Sequence, residues 1–181
     1  PYTAEEAATH IRSWSYDDFY AERLRWKGWY DRNWLRMPDE GWDESNPLEA
    51  TLFGMPDYKD ESGDAVAIPA FMKRKWRAEG RSNDPWVNPS ARELRRDRAW
   101  SPSQYVIAWI AAWVEEFGID GFRCDIVENV HTYRWQELNE ACNIALARWR
   151  AKHPESIAST WDEPFYMTGD FDSAGIERRE E

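Results

Sequence analysis

The strongest constraint on this chain is a change of pattern at Ser101. Ser101 is an N-cap residue and Pro102 sits at the first helical position, where its fixed φ is favourable. The helix this predicts runs to about Phe117, with Gly118 just past its end. Tyr105, Ala108, Trp109, Ala112 and Trp113 recur at three- and four-residue spacing and predict one buried stripe. Ile119 to Ile126 is short and apolar-rich and reads as a strand. A second helix is expected over about 133–151, from Trp135, Leu138, Cys142, Ala145 and Trp149, and a second strand over Phe165–Thr168. Helix–strand–helix–strand with short connections predicts an α/β fold, a parallel sheet covered by helices.

The first hundred residues lack that order, which divides the chain into an irregular region, 1–100, and an α/β segment, 101–181. Turn formers punctuate the first part: Asp39-Glu40-Gly41, Ser45-Asn46-Pro47, Ser62-Gly63-Asp64, Asn83-Asp84-Pro85 and Asn88-Pro89. A short helix is expected over 3–12 and another near 69–80. Trp leads the aromatics, with 13 residues against 8 Tyr and 7 Phe, and seven of the Trp precede residue 90. Trp26, Trp29, Tyr30, Trp34 and Trp42 lie among Asp, Gly, Asn and Pro. Flat apolar faces beside polar loop groups suit sugar rings; a small Trp-rich core under long loops explains the same composition.

The formal charge of −11 argues against a nucleic-acid partner, whose affinity rests on Lys and Arg neutralising phosphates. The basic runs Lys73-Arg74-Lys75-Trp76-Arg77 and Arg92 to Arg98 read as solvated helix faces. No apolar run approaches the ~20 residues of a membrane span. Cys124 and Cys142 match no metal-ligand spacing and read as core residues. The chain opens at Pro1 without Met and stops at Glu181 soon after the second strand, as expected of a piece of a longer protein.

Chemistry concentrates at the strand ends. Alternation puts Ile119, Gly121, Arg123 and Asp125 on one strand face, and Phe122, Cys124 and Ile126 on the other. Arg123 and Asp125 then stand together at the carboxyl end, where parallel α/β proteins place their sites. An arginine beside an aspartate favours the carboxylate, which suits a nucleophile or charge stabiliser. On the second strand Tyr166, Thr168 and Asp170 share a face, so Asp170 falls at the same end of the neighbouring strand. Two carboxylates so placed form a glycosidase-like pair, and a ~5–5.5 Å separation implies retention of configuration. The same residues also suit an ion pair that only closes the strand ends.

The run Gly118-Ile119-Asp120-Gly121-Phe122-Arg123-Cys124-Asp125 resembles the G-F-R-x-D signature of glycoside hydrolase family 13, the α-amylase family. Leu52-Phe53-Gly54-Met55-Pro56-Asp57 resembles the family's L-P-D motif, and Phe165 to Asp170 its fifth-strand segment. Trp29-Tyr30-Asp31-Arg32-Asn33-Trp34 is similar to the bacterial periplasmic-type members. The resemblance implies a fragment of a (β/α)8 TIM barrel: a B-domain-like insertion, then barrel strands four and five with their helices. A complete barrel needs ~250 residues, more than this chain has.

The resemblance also implies roles. Asp125 would be the nucleophile, Arg123 its electrostatic partner and Asp170 the acid/base, with Asp172 a second candidate and Glu163 a lesser one. Glu128 and Asn129 would line the leaving-group side, and Trp29 and Trp34 would bind sugar. The implied substrate is an α-glucan or maltooligosaccharide, cut at α-1,4 bonds with retention. The remainder of the barrel is an implied partner, without which the segment is expected to be inactive and marginally stable. A calcium ion is implied between the B domain and the barrel, with Asp57 and the Asn129 carbonyl as the ligands left here. The implied address is periplasmic or secreted. The chain also departs from the family: Asp170 stands where Glu is usual, Glu128 and Asn129 replace Lys-His, and the third-strand D-x-x-x-N-H motif is missing. These departures keep open a non-catalytic carbohydrate-binding relative, or a transglycosylase.

Overall fold

A computed structural model describes residues 33–36, 46–49, 57–80, 89–125 and 127–170. The helix expected over 3–12, and with it Trp29 and Asp172, lies outside the described residues. Two short strands come first, β1 (Leu35–Arg36) and β2 (Asp57–Tyr58), paired antiparallel. Helices α1 (Ala70–Glu79) and α2 (Pro89–Glu93) follow, α1 where a helical piece was expected. The α/β part comprises α3 (Pro102–Phe117), β3 (Gly121–Cys124), α4 (Thr132–Lys152) and β4 (Tyr166–Gly169). Strands β3 and β4 pair in parallel, Gly121 opposite Tyr166 and Cys124 opposite Gly169. The described residues are thus of mixed α/β character, with one β-α-β crossover and no closed barrel among them.

Local chemistry sets the limits of α3. The Ser101 hydroxyl accepts from the Gln104 amide, and the Gln104 side chain accepts from the Ser101 amide at 3.0 Å, a reciprocal capping box. Gly118 ends the helix at φ 65°, and its N–H donates to the Val114 carbonyl at 2.9 Å. A Cβ there would strike the Trp149 ring, so glycine is needed both for its backbone and for its size.

Two apolar clusters hold the molecule. The first lies between α3, α4 and the parallel strands: Val114, Leu138, Cys142, Ala145, Leu146 and Phe165, with Phe122 and Met167 packed against it. Cys142 is a buried free thiol, as expected, and burial pushes it up to about 11. The second comprises Trp34, Val66, Ile68 and Tyr105, rimmed by Trp76, Trp100 and Trp109, so it draws on both sides of residue 100.

This division corrects the single stripe expected on α3. Tyr105 and Trp109 face the second cluster, Val114 faces the first, and Trp113 is 65% exposed. The helix has a core on each of two sides, so its apolar residues spread around it. The first basic run is a face of α1, with Lys73 paired to Asp97 and Lys75 to Glu79, but most of the second lies beyond the end of α2, in the turn where Arg96 pairs with Glu93.

Candidate active site at the ends of the parallel strands

Sequence alternation places Phe122 toward the helices and Arg123 away from them, and the structure keeps that assignment. Phe122 meets Phe165 edge-on at 5.1 Å between ring centroids, while Arg123 is exposed. The start of β4 is fixed by side chains of α4. Asn143 Oδ1 accepts from the Phe165 amide at 2.9 Å, and Asn139 Nδ2 donates to the Phe165 carbonyl at 3.3 Å. At its far end the Asp170 amide donates to the Cys124 carbonyl at 3.2 Å, and the Asp170 carbonyl accepts from Val127 at 3.3 Å. The Asp170 backbone therefore grips the chain on both sides of Asp125.

These contacts bring Arg123, Asp125 and Asp170 together. Arg123 Nη2 makes a direct ion pair with Asp170 Oδ2, and its Nη1 lies 3.9 Å from Asp125 Oδ1. Arg123 was expected to serve Asp125; its close contact is with Asp170 instead. The parallel register explains this, because Arg123 stands opposite Thr168, one alternation before Asp170 on the same face. All three side chains face solvent. The turn Val127–Asn129 follows, placing Glu128 and Asn129 directly after this group. Its first carbonyl, that of Val127, accepts from Trp135 Nε1 at 3.1 Å. Glu163 lies before β4, at the opposite strand end, and its carbonyl accepts from Arg150 at 3.0 Å.

Two of the expected residues serve other purposes. Trp34 is 2% exposed and stacks on Trp109 at 5.9 Å with 4° between the planes. Its indole N–H donates to the Ala67 carbonyl at 2.7 Å. No ring face is left for a sugar, so for Trp34 the core explanation of the Trp excess holds. Asp57, the expected calcium ligand, lies 3.0 Å from Arg36 Nη1. Burial pushes its carboxyl up to about 7 against the opposing Arg36 charge, with Asp60 and Glu61 adding to the rise. Calcium needs six to eight oxygens, mostly ionised carboxylates and carbonyls. Among the described residues no three His, Cys, Asp or Glu converge on a metal position. No step below uses a calcium ion.

Sequence reasoning missed a contact at the other end of the Val127–Asn129 turn. Asp60, fully buried, receives both the amide and the ring Nδ1 of His131, each at 2.9 Å. Its sequence signal was only an aspartate in a turn, 71 residues away.

No family model matches the chain. The chain is 31% identical over 168 residues to the periplasmic alpha-amylase of Escherichia coli (strain K12). The match covers 90% of this chain and 22% of that protein, so the chain spans about a fifth of its relative's length. This is a distant and partial relationship to an α-amylase. No helix among the described residues is long and apolar enough to cross a membrane.

Proposed function

We propose that this chain is the part of a retaining, α-amylase-like glycoside hydrolase that supplies two catalytic carboxylates, and that the intact protein cleaves α-1,4 bonds of α-glucans or maltooligosaccharides. The observation that carries the reading is Arg123 gathering Asp125 and Asp170 at the carboxyl ends of adjacent parallel strands. The similarity to an α-amylase over 90% of the chain supports it. In the proposed reaction Asp170 protonates the glycosidic oxygen as Asp125 attacks the anomeric carbon. Water, activated by Asp170 now acting as base, then hydrolyses the glycosyl ester. The β3-α4-β4 unit is then strands four and five of a (β/α)8 barrel. The exposed Trp113, Phe117 and Tyr166 are surfaces that the rest of the barrel covers. The same relative supports a periplasmic location.

The direct Arg123–Asp170 contact favours a second reading, a carbohydrate-binding relative without chemistry, because the guanidinium occupies the Asp170 carboxyl and not Asp125, the carboxylate it was expected to serve. One experiment separates the two. The full-length protein is expected to release reducing ends from maltooligosaccharides, and Asp125→Asn to abolish release while maltooligosaccharide binding persists. Undiminished hydrolysis by Asp125→Asn removes the nucleophile assignment; binding without any release by the unsubstituted protein establishes the second reading.

A further inference from the structure

The Asp60 contact joins the Trp-rich half of the molecule to the strand ends. His131 is the N-cap of helix α4, and its side chain makes no capping hydrogen bond. A helix start leaves amide hydrogens without partners and carries partial positive charge. Asp60 Oδ2 meets both needs from a distant part of the chain, accepting from the His131 amide and facing its ring. The Asp60 backbone is fixed in turn. Its carbonyl accepts from Ser103 Oγ at 2.9 Å and from Arg134 Nε at 2.8 Å, so α3 and α4 both hold it.

The consequence falls on the turn Val127–Asn129. At its start Val127 is held by the Asp170 carbonyl and by Trp135 Nε1. Beyond its end, His131 is held by Asp60. Glu128 and Asn129 therefore stand on a short bridge fastened at both ends, one end beside Asp170 and the other on Asp60. The second oxygen, Asp60 Oδ1, is buried and has no hydrogen-bond partner among the described residues.

We propose that Asp60 is a positioning residue. Through His131 it sets the placement of Glu128 and Asn129, and so governs how the leaving-group side of the glucan is held. This rests on the function proposed above. The test uses the full-length protein with Asp60→Ala, Asp60→Asn and His131→Ala. Asp60→Ala is expected to raise KM for maltooligosaccharides about tenfold and shift the product lengths, with kcat within about twofold. Asp60→Asn keeps an oxygen for the His131 amide and restores most of the KM and the product pattern. His131→Ala keeps the amide donor and loses only the ring contact, so its KM falls between the two; it decides the matter if Asp60→Ala does not fold. Exchange of the His131 amide is slow in the unsubstituted protein and fast in Asp60→Ala. A lowered melting temperature with unchanged KM and products makes Asp60 merely structural and overturns the proposal, as does slow exchange in Asp60→Ala. If the unsubstituted protein releases no sugar, the functional reading fails on its own and the exchange measurement still decides the positioning claim.

Discussion

Replacing Trp34 separates a core role from a sugar-binding one. Its indole stacks on Trp109, lies 5.6 Å from Tyr105 and donates to the Ala67 carbonyl at 2.7 Å. Trp34→Ala removes a fully packed side chain, for which about 3–5 kcal/mol is the ordinary cost. Two lost aromatic contacts, at about 0.5–1.5 kcal/mol each, form part of that total. Ala67 is exposed, so its carbonyl can turn to water. Trp34→Phe, which keeps a stacked ring but gives up the hydrogen bond, should therefore cost about 1–2 kcal/mol. With a urea dependence of about 2 kcal/mol per molar, the midpoint falls by about 2 M for Trp34→Ala and by less than about 1 M for Trp34→Phe. Far-UV circular dichroism in urea measures both, and calorimetric titration with a maltooligosaccharide runs beside it. The core argument is refuted if Trp34→Ala keeps its midpoint and loses sugar affinity, because only an exposed ring can behave that way.

Two predictions concern pH. Glu115 on α3 accepts from Lys152 at 2.6 Å and Arg148 at 3.4 Å on α4, and chiefly the Lys152 bond holds its carboxyl below the usual 4.5. A lowered folded-state value stabilises above the unfolded one and is lost as pH falls. Glu115→Gln should therefore cost about 1 kcal/mol at neutral pH, screened by the half-exposed partners, and nearly nothing in acid. Equal costs at both ends of the range would show that the charge is irrelevant. Asp57 behaves oppositely, because burial pushes it up to about 7. The folded chain keeps a proton that the unfolded chain has released, so this contribution is present below about 4 and is lost as pH rises to about 7. Asp57→Asn should flatten that part of the stability profile in urea titrations between acid and mildly alkaline pH; an unaltered slope assigns it to other groups.

The α/β half was legible because its signals are local. Ser101, Pro102 and Gly118 mark helix ends through their own backbones and side chains, and α3 begins and ends where they predict. The spacing of Leu138, Cys142 and Ala145 identifies the buried face of α4 in the same way. The site residues followed from period-two alternation plus parallel pairing, which brings Asp125 and Asp170 to one end. Three features were not legible. Trp113 could not be separated from Trp109 by spacing, since the existence of two cores is a tertiary fact. Trp34 read equally as platform or core until Tyr105 and Trp109 closed over it. The Asp60–His131 contact spans 71 residues, and no local pattern encodes such a pairing.

The placement of Arg123 bears on how far these strand ends can act by themselves. A guanidinium favours the ionised form of whichever carboxylate it touches. In the proposed first step Asp125 must be ionised and Asp170 protonated, which calls for Arg123 on Asp125. Once Asp125 is esterified it has no charge, and Asp170, having given up its proton, is a carboxylate; Arg123 then belongs on Asp170. The contact seen here is the second of these, with Asp125 at 3.9 Å from the other terminal nitrogen. One side chain reaches both carboxylates, so the exchange needs only rotation of Arg123 and no movement of β3 or β4. In water the preference between the two is weak, because exposed ion pairs are worth about 0–1 kcal/mol. A strong preference requires water to be excluded, since charge interactions grow as the dielectric falls. Which carboxylate Arg123 holds is therefore set by whatever covers these strand ends, and the strand ends supply only the geometry.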